Sequence, residues 1–215
     1  MRGYRPGGDG KLTLTDGVFL QVVEAARFKP DVDHVIIIEE INRGNPAQVL
    51  GEILTLIESS KRNKDAAMEL TYPRRPGERV YVPENLYVIG TMNVADRSLA
   101  LVDLALRRRF AFVNLEPSLN AAWEQWCLSK GMEDSAIAHI RSRMDTLNQE
   151  IAQDRTLGLQ FQIGHSYVTP HEPVTNAQTW FAEVIQSEIG PLLHEYWFDA
   201  PERADAAIDK LLKQV

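Results

Sequence analysis

Two adjacent carboxylates, Glu39 and Glu40, close the apolar run Val35-Ile36-Ile37-Ile38 and are followed by Ile41-Asn42-Arg43. A β-branched run of this kind reads as a central parallel strand buried on both faces. Open α/β sheets bind ligands beyond the C-terminal ends of such strands. In nucleotide hydrolases one carboxylate at that point holds Mg²⁺, usually through water because Mg²⁺ dehydrates reluctantly. The next one orients or deprotonates the attacking water. Side chains alternate along a strand, so Glu39 and Glu40 are expected to point apart, which suits two different roles. A solvated acidic strand end is the plain alternative. Like charges side by side beyond a buried run are costly, and that favours a bound cation.

A second polar set, Gly90-Thr91-Met92-Asn93-Val94-Ala95-Asp96-Arg97-Ser98, follows another apolar run, Leu86–Ile89. An asparagine at a strand's C-terminal end can hold a water in line with a phosphate; a capped turn before the next helix explains it equally simply. The third set is Arg107-Arg108-Arg109. Cations at a helix C-terminus favour the macrodipole, but three in a row exceed what capping needs. An arginine projecting from a subunit surface can neutralise transition-state charge on a neighbour's γ-phosphate.

The elements that must position these residues follow from periodicity. Met1–Leu14 is rich in Gly and Arg, lacks apolar periodicity, and reads as loop. Asp16 is the expected N-cap of a helix to about Arg27. His34–Ile38 is the first strand, Asn45-Pro46 opens a helix running to Glu58, and Leu86–Thr91 is a second strand. Between them Glu69–Tyr72 and Arg79–Val82 flank a Pro76-Gly77 turn, the pattern of a β-hairpin. A short helix over Leu99–Arg108 and a third strand over Phe110–Val113 complete this half. After Pro117 the strand signal fades. Ile137, Ile140, Met144, Leu147 and Ile151 mark one amphipathic helix. Trp180 to Leu193 forms another, interrupted near Gly190-Pro191, and Ala204–Leu212 a third. The expected division is 1–116, an α/β part, and 117–215, a helical part.

Composition sets outer limits. The 215 residues carry 44% hydrophobic and 25% charged side chains, ordinary globular values that exclude disorder and collagen-like repeats. A net charge of −7 argues against non-specific DNA binding. The single cysteine excludes a disulfide framework or a cysteine-rich zinc site, and it suits a reducing cytoplasm. No apolar run exceeds the four residues of Val35–Ile38, so no membrane span is expected.

The ordered set Glu39-Glu40-Ile-Asn42-Arg-Gly-Asn, Thr91-Met-Asn93-Val-Ala-Asp96-Arg97-Ser and Ala105-Leu-Arg-Arg108-Arg109-Phe closely resembles McrB-type AAA+ proteins, GTP-hydrolysing motor subunits of modified-cytosine restriction systems. Phe161-Gln-Ile-Gly-His165-Ser-Tyr167 and Pro191-Leu-Leu-His-Glu-Tyr-Trp197 are similar to that family's C-terminal helical segment. The resemblance covers roughly residues 17–200. It implies an α/β AAA+ parallel sheet with a β-hairpin ahead of the sensor strand, followed by an α-helical lid. It assigns Glu39 to the Walker B metal position, with water-bridged Mg²⁺, and Glu40 to the catalytic carboxylate. Asn93 becomes the first sensor, Asp96 and Arg97 complete the signature, and Arg108 and Arg109 are arginine-finger candidates. Asn42 belongs to the nucleotide-binding set. His165 approaches the nucleotide from the lid, unless its segment is only a helix-capping turn. GTP or ATP, a hexameric ring, a McrC-like nuclease subunit and indirect contact with DNA follow from the same likeness. Two positions depart from the pattern: Glu39 stands where many members have Asp, and Val94 where Thr is common.

The sequence contains no Gly-x-x-x-x-Gly-Lys-Ser/Thr. Gly10-Lys11 imitates its end, but Arg5 stands where the first glycine belongs and Leu12 follows the lysine. The expectation is a nucleoside triphosphatase segment that is inactive alone; the alternative is a non-catalytic ring-assembly or partner-binding module. Other features read as structural. Cys127 with Trp123 and Trp126 belongs to a helix core, and the Trp and Phe stripe over 180–198 is lid packing rather than a base-stacking platform. Arg74, Arg75 and Arg79 sit on a solvated hairpin tip or touch DNA or a partner.

Overall fold

The computed structural model describes residues 2–8, 10–43, 50–95 and 104–213. Residues 45–49 of the helix expected from Asn45-Pro46 to Glu58 fall outside them, as do Asp96 and Arg97. In the described remainder the helix is shorter than expected, Ile53–Leu56, because Gly51 just ahead of it takes a left-handed backbone, φ 50°. The chain divides into two compact units, Met1–Val113 and Asn114–Val215.

In the first unit, β1 (Gly3–Pro6) and β2 (Leu12–Thr15) form an antiparallel hairpin where a loop was expected. Its anchor is electrostatic. The buried Arg2 guanidinium binds Asp16 through Nε and chelates Glu78 through Nη1 and Nη2. Asp16 is thereby used in an ion pair and does not cap α1 (Val18–Phe28), whose N-cap is Gly17 without a side-chain hydrogen bond. Phe19, Leu20, Val23 and Ala26 of α1 are buried. Asn85 closes the far end of that helix, its amide donating to the carbonyls of Ala26, Lys29 and Val32.

β3 (His34–Ile38) and β6 (Leu86–Gly90) pair in parallel, with His34 opposite Leu86 and Ile38 opposite Gly90. Ile36, Ile38 and Val88 pack on a core formed by α1, α2 (Ile53–Leu56), Leu70, Val80 and Val82. The other face is open: Val35 and Ile37 are 54% and 62% exposed, Tyr87 and Ile89 each 50%. The expected burial of β3 on both faces is therefore corrected. Its apolar run is long enough for two-sided cover, but the described residues cover one side. The hairpin ahead of β6 is present as β4 (Met68–Glu69) paired antiparallel with β5 (Arg79–Val80). α3 (Leu104–Arg107) ends on the arginine run, and Phe110–Val113 is not a strand. A strand exists only through a ladder, and no described strand pairs with that segment.

The second unit is helical: α4 (Ala121–Ser129), α5 (Asp134–Gln153), α6 (Ala177–Val184), α7 (Gly190–Tyr196) and α8 (Pro201–Leu212). α5 packs against α4, α6 and α8 with Ile137, Ile140, Met144, Leu147 and Ile151 inward. The interruption expected at Gly190-Pro191 is a π-helical turn, Ile185–Ile189, that runs into α7 without a break. Gly190 is required there, since a Cβ would stand 2.8 Å from the Ile185 carbonyl. Phe181, Val184, Ile185, Ile189, Leu193 and Trp197 are buried, as expected for packing, but Phe198 at the end of the stripe is exposed and takes no part in it. The Cys127 thiol is buried too, and loss of solvation pushes its pKa up to about 11, which keeps it unreactive.

Asp154 fastens this unit after α5. Its carboxylate accepts from the Thr156 backbone and hydroxyl, the Leu157 backbone and Trp197 Nε1, and pairs with Arg203. Burial alone would raise its pKa, but these donors outweigh it and hold it well below the usual aspartate value of 3.8. A depressed pKa stabilises the fold fully above that value and loses effect as pH falls through the native one. The melting temperature of the chain should fall below about pH 4. Asp154→Asn should lower stability at neutral pH by about 2 kcal/mol and flatten the acid limb; an unchanged acid limb contradicts the assignment.

Candidate functional site at the strand ends

The parallel register of β3 and β6 brings the two polar sets to one edge. Thr91 donates its backbone N–H to the Ile38 carbonyl at 3.0 Å, and Ile41 donates to the Thr91 carbonyl at 2.9 Å. Gly90 lets the chains approach so closely, because a Cβ there would meet the Ile41 side chain at 3.1 Å. β3 ends at Ile38, and both carboxylates lie in the turn that follows. Strand alternation therefore does not set their directions, as had been expected. Glu40 instead takes a left-handed backbone, φ 49°. That conformation costs about 1 kcal/mol or more for a residue with a Cβ. It is held by the Glu40 N–H donating to Thr91 Oγ1 at 3.1 Å and by the Arg43 N–H donating to the Glu40 carbonyl at 2.7 Å.

The Glu40 carboxylate accepts from Arg43 Nε at 2.9 Å, a half-exposed pair. Glu39 is exposed beside it. Asn42 is buried at 6% exposure and bridges the two polar sets, its Nδ2 donating to the Asn93 carbonyl at 3.3 Å. Its Oδ1 has no hydrogen-bond partner among the described residues. A buried amide oxygen is expensive to leave without a donor, so this one calls for a partner beyond the described residues. Asn93 is exposed, and its Oδ1 accepts from the Ala95 N–H at 3.0 Å, so it does cap its own turn. Carboxylate and amide oxygens are the hard donors that Mg²⁺ takes, although among the described residues no group of three or more His, Cys, Asp or Glu side chains gathers to hold a metal ion.

The arginine run resolves into distinct environments. Arg107 lies over the Phe112 ring at 5.7 Å. Arg109 is largely buried and pairs with Glu58 at 2.5 Å. Arg108 is exposed, with no ion pair among the described residues. His165 belongs to the second unit, in a 3₁₀ turn over His165–Val168, where its Nδ1 accepts from the Ser118 N–H at 3.2 Å. It edges a cavity of about 220 Å³ with Asp145, Asn148, Gln149 and Gln162. Thr91 and Arg43 were not singled out in the sequence as site residues. Only the register and the turn geometry reveal that one props the Glu40 backbone and the other holds its carboxylate.

The fold and this edge define a class. Residues 2–110 match the AAA domain of the dynein-related subfamily, and residues 139–205 match the McrB alpha-helical lid domain. The chain belongs to that AAA family, in its McrB-type form. It is 43% identical to the Type IV methyl-directed restriction enzyme EcoKMcrB subunit of Escherichia coli (strain K12), over 99% of this chain and 47% of that protein. It is 33% identical to the Type II restriction enzyme BsuMI component YdiS of Bacillus subtilis (strain 168), over 53% of this chain and 36% of that protein. The chain thus spans about half, or less, of the curated relatives it matches. No helix among the described residues is long and apolar enough to cross a membrane.

Proposed function

We propose that this chain supplies the hydrolytic edge and lid of a nucleoside triphosphatase, GTP or ATP, that serves as the motor subunit of a McrBC-like DNA restriction system. The observation that carries this is the β3–β6 register. It lays Glu39-Glu40 beside Thr91–Asn93, with the buried Asn42, whose Oδ1 has no partner among the described residues, next to them. Glu39 holds Mg²⁺ through water, and Asn42 satisfies its Oδ1 on a water or ligand proton. A bound Mg²⁺, for which Glu39 is the proposed ligand, would supply charge neutralisation for a phosphate group. Glu40 orients or deprotonates the attacking water, and Asn93, as first sensor, holds that water in line. Asp96 and Arg97 complete the signature, and His165 serves from the lid. Arg108 acts on the nucleotide of the neighbouring subunit in a ring, taken as a hexamer, with Arg109 as a brace through Glu58. A McrC-like nuclease subunit is the partner, DNA is contacted indirectly, and the assembly works in the cytoplasm. The restriction-enzyme relatives support the setting.

The protein expressed from its complete reading frame should hydrolyse GTP or ATP only with Mg²⁺, and a chelator should stop it. The 215 residues alone should show no turnover, because they contain no phosphate loop and the carboxylates alone repel a polyphosphate. Mg²⁺-dependent turnover by the isolated chain would overturn the division of labour. A second reading is a non-catalytic subunit that joins rings and lends the exposed Arg108 to a neighbour. That reading predicts no turnover by the complete protein but stimulation of a catalytic partner.

A further inference from the structure

The base of the β4–β5 hairpin holds a second polar cavity, of about 210 Å³, lined by Arg2, Glu24, Arg27, Arg75, Glu78 and Arg79 among others. A water occupies about 30 Å³ in the liquid, so the space admits a group several waters in size. Its charges sort into two layers. Arg2 and Arg74 are matched by Asp16 and Glu78: Arg2 binds both carboxylates, Arg74 Nη2 binds Asp16, and the Arg74 N–H donates to Glu78. This frame is neutral and its core is rigid, since the side chains of Arg2 and Asp16 are only 2% and 5% exposed. The hydrogen bonds from Arg2 hold the Glu78 carboxyl below the usual glutamate range, so its charge stays committed to Arg2.

What remains is unbalanced. Arg27, Arg75 and Arg79 line the cavity with one uncommitted carboxylate, Glu24. Glu69 stands opposite Arg79 in the hairpin register but outside the lining, and none of these five makes an ion pair among the described residues. Arg27 is fixed by a cation–π contact with the Tyr81 ring at 4.6 Å, which consumes none of its N–H donors. In the lining, three guanidiniums against one carboxylate leave an excess of two positive charges, still one if the cross-strand Glu69 is counted, in a chain whose net charge is −7. Like charges gathered on a rigid frame without a counter-ion repel one another, and an anion relieves that repulsion. The planar fork of arginine fits phosphate oxygens in pairs.

We infer that this cavity is an oxyanion site for a phosphate group, separate from the strand-end edge and built from Arg27, Arg75 and Arg79 over the Arg2–Asp16–Glu78 frame. The phosphate is that of free inorganic phosphate or of a DNA backbone. The two sources are separated by titrating the chain, at constant ionic strength, with inorganic phosphate and with a short DNA duplex while following arginine Nε–H resonances. The expected result is a saturable shift at Arg27, Arg75 and Arg79 with phosphate. Arg27→Gln and Arg79→Gln should each weaken binding by about tenfold or more, while Arg155→Gln in the second unit leaves it unchanged. Displacement of phosphate by the duplex assigns the site to nucleic acid; failure of the duplex to compete assigns it to a small anion. Arg75→Gln, on the exposed loop, repeats the test if either other variant unfolds. No saturable shift with either probe, or binding indifferent to all three substitutions, overturns the inference.

Discussion

Glu40→Gln, in the protein expressed from its complete reading frame, should keep nucleotide bound and lose turnover by a factor on the order of 10² to 10⁴. The substitution keeps the side chain's length and its hydrogen bonding to Arg43 Nε, but removes the charge that draws a proton from water. The left-handed backbone of Glu40 depends on main-chain and Thr91 contacts, which glutamine preserves. Folding should therefore be intact and the loss confined to kcat. Turnover within a few-fold of wild type would remove Glu40 from the water-activating role and return the acidic turn to a solvated strand end. Arg43→Ala is the companion variant. It frees the carboxylate from its exposed pair, and because such pairs contribute little stability, any effect on turnover reports on Glu40 itself.

Arg108→Ala should cost on the order of 10³-fold in turnover of the assembled protein, the scale of a lost arginine finger, with assembly and nucleotide binding retained. Arg109→Ala should behave differently. Its guanidinium is engaged with Glu58, so its removal should lower stability and reduce turnover only indirectly, and Glu58→Gln should mimic it. Identical behaviour of Arg109→Ala and Glu58→Gln, set against a pure kcat loss in Arg108→Ala, distinguishes a brace from a finger. If Arg109→Ala alone abolishes turnover while Glu58→Gln does not, the finger is Arg109.

The two strands and the polar runs that end them could be read in the sequence, because they announce themselves locally. β3 and β6 are short apolar runs ending in polar clusters, and side chains in register at the ends of parallel strands are neighbours by necessity. The long helix α5 was equally legible from the spacing of Ile137 through Ile151. What stayed hidden depends on partners far along the chain. The β1–β2 hairpin looked like loop because its few apolar residues make no pattern, and its anchor joins Arg2 to residues 14 and 76 positions away. The left-handed turn at Glu40 has no marker in residue type, since glutamate is not a residue that favours it. Arg108 and Arg109 are identical letters; only Glu58 separates them. Phe110–Val113 and the outer face of β3 failed for a shared reason: an apolar segment states that it needs cover, not which neighbour provides it.

The central claim is that Glu40 and Arg108 serve one composite site across a subunit boundary, and mixing tests it most directly. Subunits carrying Glu40→Gln and subunits carrying Arg108→Ala should each be inactive alone. Co-assembled, each Arg108→Ala subunit keeps its Glu40 and can receive Arg108 from a Glu40→Gln neighbour, so turnover should reappear in proportion to such interfaces. A mixture that stays as inactive as its two components, while forming the same assemblies, would contradict the account.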